Sequence, residues 1–295
     1  MADLSTIAAA SVSSPRASSG AAVLDVRNVG VTYGRGDDAV EAIADVSFTV
    51  EPGEFLCVVG PSGCGKTTLL KAIAGLLTPG QGEVFVQDKR VTRPLPGLAL
   101  VFQEYTRSLM PWLSVKKNVT FPLAARGLSK AEQESSASAA LHEVGLQGFE
   151  NKYPWQLSGG MQQRVAIARA VAYQPSLLLM DEPFASVDAQ TRADLEDLML
   201  RVQEDTGVTV LFVTHDIDEA VYLSRRVVVL SGRPTRVRAE LEVPLPYPRD
   251  QLRTRALPTF VELRTQILAM IQAERRGGVQ LTAEPELRAE DAVDA

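Results

Sequence analysis

The chain has 295 residues, of which 45% are hydrophobic and 22% charged, with a net charge of −6. That length and apolar fraction suffice for a proper core in one large domain or two modest ones, and the acidic balance argues against a protein that grips nucleic acid through a basic face. The two cysteines, Cys57 and Cys64, fit no metal-ligand spacing or disulfide framework and read as reduced thiols, and no apolar run is long enough to cross a bilayer.

Residues 1–21 are rich in Ala and Ser, carry Asp3 early and lack an apolar stretch behind a basic start. A disordered tail is expected there rather than a signal peptide. Val23–Tyr33 and Val46–Val50 alternate as strands, and Glu51-Pro52-Gly53 marks a turn. Phe55–Val59 is a short apolar strand entering a glycine-rich loop, with a helix expected over Thr67–Leu76. Gly82–Val86 and Leu98–Phe102 read as further strands.

From about 104 to 174 the strand-like runs give way to helical ones. Ser129 followed by Glu132 has the spacing of a capping box and opens a helix to Val144. A second helix is expected over Gln162–Tyr173, closed by Pro175. The strand rhythm resumes at Leu177–Met180, Val208–Val213 and Arg226–Leu230 with helical segments between, the pattern of a mostly parallel sheet flanked by helices. A proline-rich connector follows Leu241, and Phe260, Leu263, Ile267 and Met270 then recur at helical spacing. The expected division is a domain over 22–245 containing the helical insertion, a helical extension over 246–280, and an acidic flexible tail over 281–295.

Gly60-Pro61-Ser62-Gly63-Cys64-Gly65-Lys66-Thr67 fits G-x-x-x-x-G-K-[ST] between an expected strand and an expected helix. Glycines permit the dihedrals that turn backbone amides toward phosphate oxygens. The helix behind them points its positive end at the same anion. Lys66 then reaches the β- and γ-phosphates, and the Thr67 hydroxyl ligates Mg²⁺. Leu177–Met180 ends in Asp181-Glu182, which puts two carboxylates at the C-terminal edge of the sheet, where open α/β sheets bind ligands. Asp181 is the candidate holder of Mg²⁺ through water, and Glu182 the candidate general base for an attacking water.

Leu157-Ser158-Gly159-Gly160-Met161-Gln162 resembles the LSGGQ signature of the ABC ATPases, with Met161 where glutamine is usual. Other motifs of that family lie in its order over roughly 23–241. Gln103 is similar to the glutamine-loop residue that touches Mg²⁺ and the attacking water. Ala185-Ser186-Val187-Asp188 is similar to the D-loop, more usually SALD, whose aspartate faces the opposite subunit. His215 resembles the switch histidine at the γ-phosphate, and Tyr33 the aromatic that stacks on adenine. Read alone, Gln103 and Tyr33 also suit plain surface or packing positions, and His215 a buried histidine. His142 sits in a helical stretch and is assigned no role.

The resemblance implies an α/β fold: a P-loop NTPase core of RecA type with an antiparallel β edge subdomain and an α-helical insertion. It implies ATP and Mg²⁺ at a head-to-tail dimer. Gly60 through Lys66, with Thr67 and Thr68, hold the nucleotide from one side, and Ser158, Gly159, Gly160 and Asp188 of the second nucleotide-binding subunit complete the site. Catalysis falls to Glu182, His215 and Gln103, and metal binding to Thr67, Gln103 and Asp181. The insertion meets a transmembrane permease at the cytoplasmic face of the membrane, a solute-binding protein takes part indirectly, and no nucleic acid is expected. Met110-Pro111-Trp112-Leu113 lies where the permease groove is usually built; Trp112 forms that groove, fills the insertion's core, or does both. The strings Val101–Tyr105, Pro111–Val115 and Thr214–Ala220 resemble the nitrate, sulfonate and taurine importer branch.

Overall fold

The computed structural model describes residues 22–34, 36–103 and 108–279. The expectations for both chain ends, and for Glu104 and Tyr105, lie outside the described residues.

Among the described residues ten strands form one sheet: β1 (Leu24–Tyr33), β2 (Val40–Val50), β3 (Phe55–Val59), β4 (Gln81–Val86), β5 (Lys89–Arg90), β6 (Leu98–Val101), β7 (Leu177–Asp181), β8 (Thr209–Val213), β9 (Arg226–Leu230) and β10 (Thr235–Glu242). Their order is β5-β4-β1-β2-β10-β9-β3-β8-β7-β6. The run β9-β3-β8-β7-β6 is parallel, with pairs such as Cys57↔Phe212 and Leu179↔Leu211. β3, β7 and β8 are buried at every position, because helices cover both faces of a parallel sheet and such strands therefore carry apolar residues throughout. The other half, β1, β2, β4 and β5, is antiparallel and joins the parallel half where β10 runs beside β2 at Thr235↔Ile43.

Among the described residues the α-helices are α1 (Lys66–Ile73), α2 (Val115–Ala124), α3 (Lys130–Glu143), α4 (Gly159–Ala172), α5 (Ala189–Thr206), α6 (Ile217–Leu223) and α7 (Pro258–Val279). Two cores lie on opposite faces of the sheet. Leu178 and Met180 of β7 enter one, beside Phe212 and the faces of α2 to α6, while Leu177 and Leu179 enter the other, beside Leu69, Leu70 and Ile73 of α1. The period-two alternation of a strand divides the residues this way. α2, α3 and α4 pack on one another between β6 and β7 in the chain. α3 opens on a complete capping box: Ser129 N–H donates to Glu132 Oε2 at 2.8 Å and Glu132 N–H to Ser129 Oγ at 3.3 Å. On α7, Phe260 and Ile267 are fully buried, with Leu263 and Met270 partly so against the same core.

Apart from shifts of a few residues at element ends, one boundary and two elements differ from the sequence reading. β2 begins at Val40, six residues early, because pairing with β1 (Tyr33↔Val40) extends it through a stretch with no continuous apolar run. α2 forms despite Pro122. β10 forms from Thr235-Arg-Val-Arg-Ala-Glu-Leu-Glu242, whose odd positions are shielded and whose charged even positions are exposed.

Candidate functional site

β3 ends at Val59 and the chain turns through Gly60–Gly65 into α1. Gly65 stands at φ 115, where a side chain is strained, and an added Cβ would lie 3.3 Å from the Ala42 carbonyl oxygen. No side chain caps α1, so its first amides lack a side-chain acceptor and could receive an anion. The Thr235 hydroxyl donates to the Cys64 carbonyl and anchors the loop to β10. The Cys64 thiol is buried, and that burial raises its pKa.

Lys66 is only 5% exposed and donates from Nζ to the Gly60 and Pro61 carbonyls at 3.1 and 3.2 Å. A buried ammonium needs such acceptors. Its Nζ also lies 3.7 Å from Glu182 Oε1.

The Thr67 hydroxyl donates to Asp181 Oδ1 at 3.2 Å. Burial raises the Asp181 pKa, and the Thr67 hydrogen bond opposes that rise. A hydroxyl and a carboxylate are hard oxygen donors suited to Mg²⁺, which takes few protein ligands and fills its shell with phosphate oxygens and water. Among the described residues, no three His, Cys, Asp or Glu gather as a self-sufficient metal cage.

Glu182 is where the contacts converge. It follows β7 at φ 42, an unusual angle for a residue with a side chain, and its N–H is held by the Val213 carbonyl at 2.8 Å. Glu182 Oε2 lies 2.9 Å from His215 Nδ1 and accepts from Gln103 Nε2 at 3.5 Å. His215 is exposed just past β8. Lys66, Thr67, Asp181, Glu182, Gln103 and His215 thus come together at one sheet edge. Tyr33 flanks α1, its hydroxyl 3.1 Å from Thr68 Oγ1 and its side chain 45% exposed.

Ser158, Gly159, Gly160 and Asp188 form a second, separate group. Ser158 caps α4 by accepting from Met161 N–H at 3.3 Å. Asp188 caps α5 by accepting from Thr191 N–H at 3.0 Å and from its hydroxyl at 2.7 Å. A Cβ on Gly160 would lie 2.4 Å from Thr191 Cγ2, so any side chain there would have to displace Thr191. Ser158, Gly159 and Asp188 are exposed. Among the described residues, no hydrogen bond or ion pair joins them to the Glu182 group.

Sequence reasoning missed two features. Asn118 is buried and binds the Met110, Leu113 and Ser114 carbonyls and the Met110 N–H, fixing the 110–114 loop. That loop presents Trp112 with 73% of its side chain exposed, so Trp112 does not fill the core. The other is Arg192, which contacts the Val187 carbonyl, Asp216 and Glu219. A cation in the first turn of α5, where the helix dipole disfavours it, is the sequence signal that could have drawn notice.

Comparison with known proteins fits this geometry. A family model described as ABC transporter matches residues 43–185. An uncharacterized ABC transporter ATP-binding protein of Methanocaldococcus jannaschii is 48% identical over 251 residues, 85% of this chain and 92% of that protein. An aliphatic sulfonates import ATP-binding protein of Bacillus cereus is 42% identical over 241 residues, 82% and 92% of the two chains. A nitrate import ATP-binding protein of Synechococcus elongatus is 42% identical over 238 residues, 80% of this chain and 36% of that larger protein. A solved dimeric ATP-binding cassette in a post-hydrolysis state, bound to ADP and Pi, aligns with a TM-score of 0.65 at 33% identity, covering 75% of this chain and 98% of that one. This chain belongs to the ABC transporter ATP-binding proteins, within the branch of the nitrate and sulfonate import cassettes, and is an ATPase of that family.

Proposed function

We propose that this chain is the ATP-hydrolysing subunit of an ABC importer for a small solute such as nitrate, a sulfonate or taurine. Two cassettes pair head to tail. Each ATP lies between Gly60–Thr68 of one chain and Ser158–Gly160 of the other, with Tyr33 on the adenine and Asp188 facing the opposite subunit. ATP offers phosphate oxygens to both surfaces and so favours the closed pair. Hydrolysis removes that shared contact.

The observation that carries this reading is the position of Glu182, with His215 at 2.9 Å and Lys66 at 3.7 Å. Glu182 takes the proton of the attacking water. His215 and Gln103 hold Glu182 and orient it toward the γ-phosphate. Lys66 exchanges its loop carbonyls for phosphate oxygens when nucleotide arrives. Thr67 and Asp181, with Gln103, would hold Mg²⁺, which supplies charge neutralisation on the phosphates when bound.

No helix among the described residues is long and apolar enough to cross a membrane. A separate permease therefore provides the path, and the exposed Trp112 loop is its docking point at the cytoplasmic face. A solute-binding protein delivers cargo to that permease. The competing reading, a nucleic-acid or ribosome ATPase, is disfavoured by the net charge of −6. Glu182→Gln tests the central assignment: turnover should fall by about a hundredfold or more. Turnover at the wild-type rate would show that Glu182 is not the base.

A further inference from the structure

Resting on that reading, we propose that Arg192 is a positioning residue for hydrolysis, a bridge that makes His215 respond to the Asp188 turn. Asp188 caps α5, and Arg192 follows it one turn later. The Arg192 guanidinium reaches in three directions. Nη2 contacts the Val187 carbonyl at 3.5 Å, within the Asp188 turn. Nη1 donates to Asp216 Oδ2 at 3.1 Å, next to His215. Nε lies 3.6 Å from Glu219 Oε1 in α6.

Each carboxylate in turn holds the backbone around His215. Asp216 caps α6, accepting from the Asp218 and Glu219 amides at 2.9 and 3.2 Å. Glu219 is 4% exposed and accepts from the Thr214 hydroxyl at 2.6 Å, while that hydroxyl accepts from Asp216 N–H at 3.0 Å. The residues before and after His215 are therefore pinned to groups that Arg192 holds. Farther along, the Tyr222 hydroxyl donates to Asp197 at 2.7 Å, so α5 and α6 are tied at a second point.

The bridge also has room to tighten. Arg192 Nε is buried without a hydrogen-bond partner. A small rotation closes the 3.6 Å gap to Glu219. Contact of Asp188 with a second subunit is the event that displaces this turn in the proposed dimer. The bridge then carries the displacement to the histidine beside Glu182. A lysine cannot reproduce this, since it offers a point charge rather than a planar fork.

The test is steady-state ATP hydrolysis by the full chain carrying Arg192→Lys, Arg192→Met, Glu219→Gln, or Arg192→Met with Glu219→Gln. Each single variant should lose about tenfold in kcat, as expected for a misplaced catalytic group, with KM for ATP within about twofold. The double variant should be no slower than the slower single, because both break one connection. Glu219→Gln keeps the side-chain shape and carries the test if Arg192→Met unfolds. A kcat within twofold of wild type for Glu219→Gln, or single losses that multiply in the double variant, overturns the bridge. Wild-type turnover together with its loss in Glu182→Gln, measured alongside, separates failure of the bridge from failure of the site reading.

Discussion

The Lys66–Glu182 region and the Ser158–Asp188 region are both built from helix N-termini and glycines, yet they differ in how complete they are. In the first, side chains already bind one another, from the buried Lys66 and Asp181 to the exposed His215: Lys66 to its own loop, Thr67 to Asp181, His215 to Glu182. In the second, the caps satisfy their own helices and face solvent, with no hydrogen bond or ion pair to the first group among the described residues. The first resembles a preformed reaction centre. The second is a pair of helix caps facing solvent. The contrast teaches why the proposed function needs a second chain: on that reading the two groups are unlike halves of one site, joined only when two chains meet.

The largest expected effect separates the two halves. On the proposed reading, Glu182→Gln should stop hydrolysis while leaving the Gly60–Thr68 loop and the Ser158–Gly160 turn in place. With ATP it should accumulate as a stable pair, measured by sedimentation or light scattering. A variant that stays monomeric at saturating ATP would break the comparison. The tenfold kcat losses expected at Arg192 come next and sharpen it, since they show one half speaking to the other within a chain.

A pH effect on stability follows in size. Burial pushes the Glu219 carboxyl up to about 7, with the Thr214 hydrogen bond and Arg192 opposing the rise and Asp216 and Glu196 adding to it. The folded chain therefore keeps a proton that the unfolded chain releases near 4.5. Its stabilising contribution is complete below about 4.5 and is lost as pH rises through about 7. Glutamine cannot ionise, so Glu219→Gln should gain in Tm relative to wild type between about pH 5 and pH 8, by the equivalent of about 1–3 kcal/mol. A pH-independent difference would mean that folding does not raise the Glu219 pKa. The smallest effect on the chain itself is that of Trp112→Ala. Stability should change by less than about 0.5 kcal/mol, as for an exposed site. Uptake in a reconstituted transporter should nevertheless fall. Unchanged uptake would remove the Trp112 loop from the permease contact.

Much of this was legible in the sequence for a physical reason. A loop that wraps phosphate must have glycine at fixed places, and Gly65 at φ 115 is such a place. Two acids after an apolar strand must reach the sheet edge. The Ser129–Glu132 capping box is equally local, and the structure contains both of its bonds. What stayed hidden was long-range or conformational. Glu182 reaches His215 through a φ of 42 after β7, which no residue type announces. Lys66 turns back on its own carbonyls. Arg192 meets Asp216 and Glu219 only because α5 and α6 are folded side by side. α2 was obscured by Pro122, although Ser114 and Asn118 set its start.

The central claim, a shared site between unlike halves, is tested most directly by mixing two inactive chains. One carries Lys66→Ala, which disables its own phosphate loop. The other carries Gly160→Asp, which disables its own cradle by collision with Thr191 and by negative charge. Mixed pairs should regain hydrolysis, because the intact loop of the second chain meets the intact cradle of the first. If the mixture stays as inactive as either variant alone while both chains fold and pair, the site is not shared.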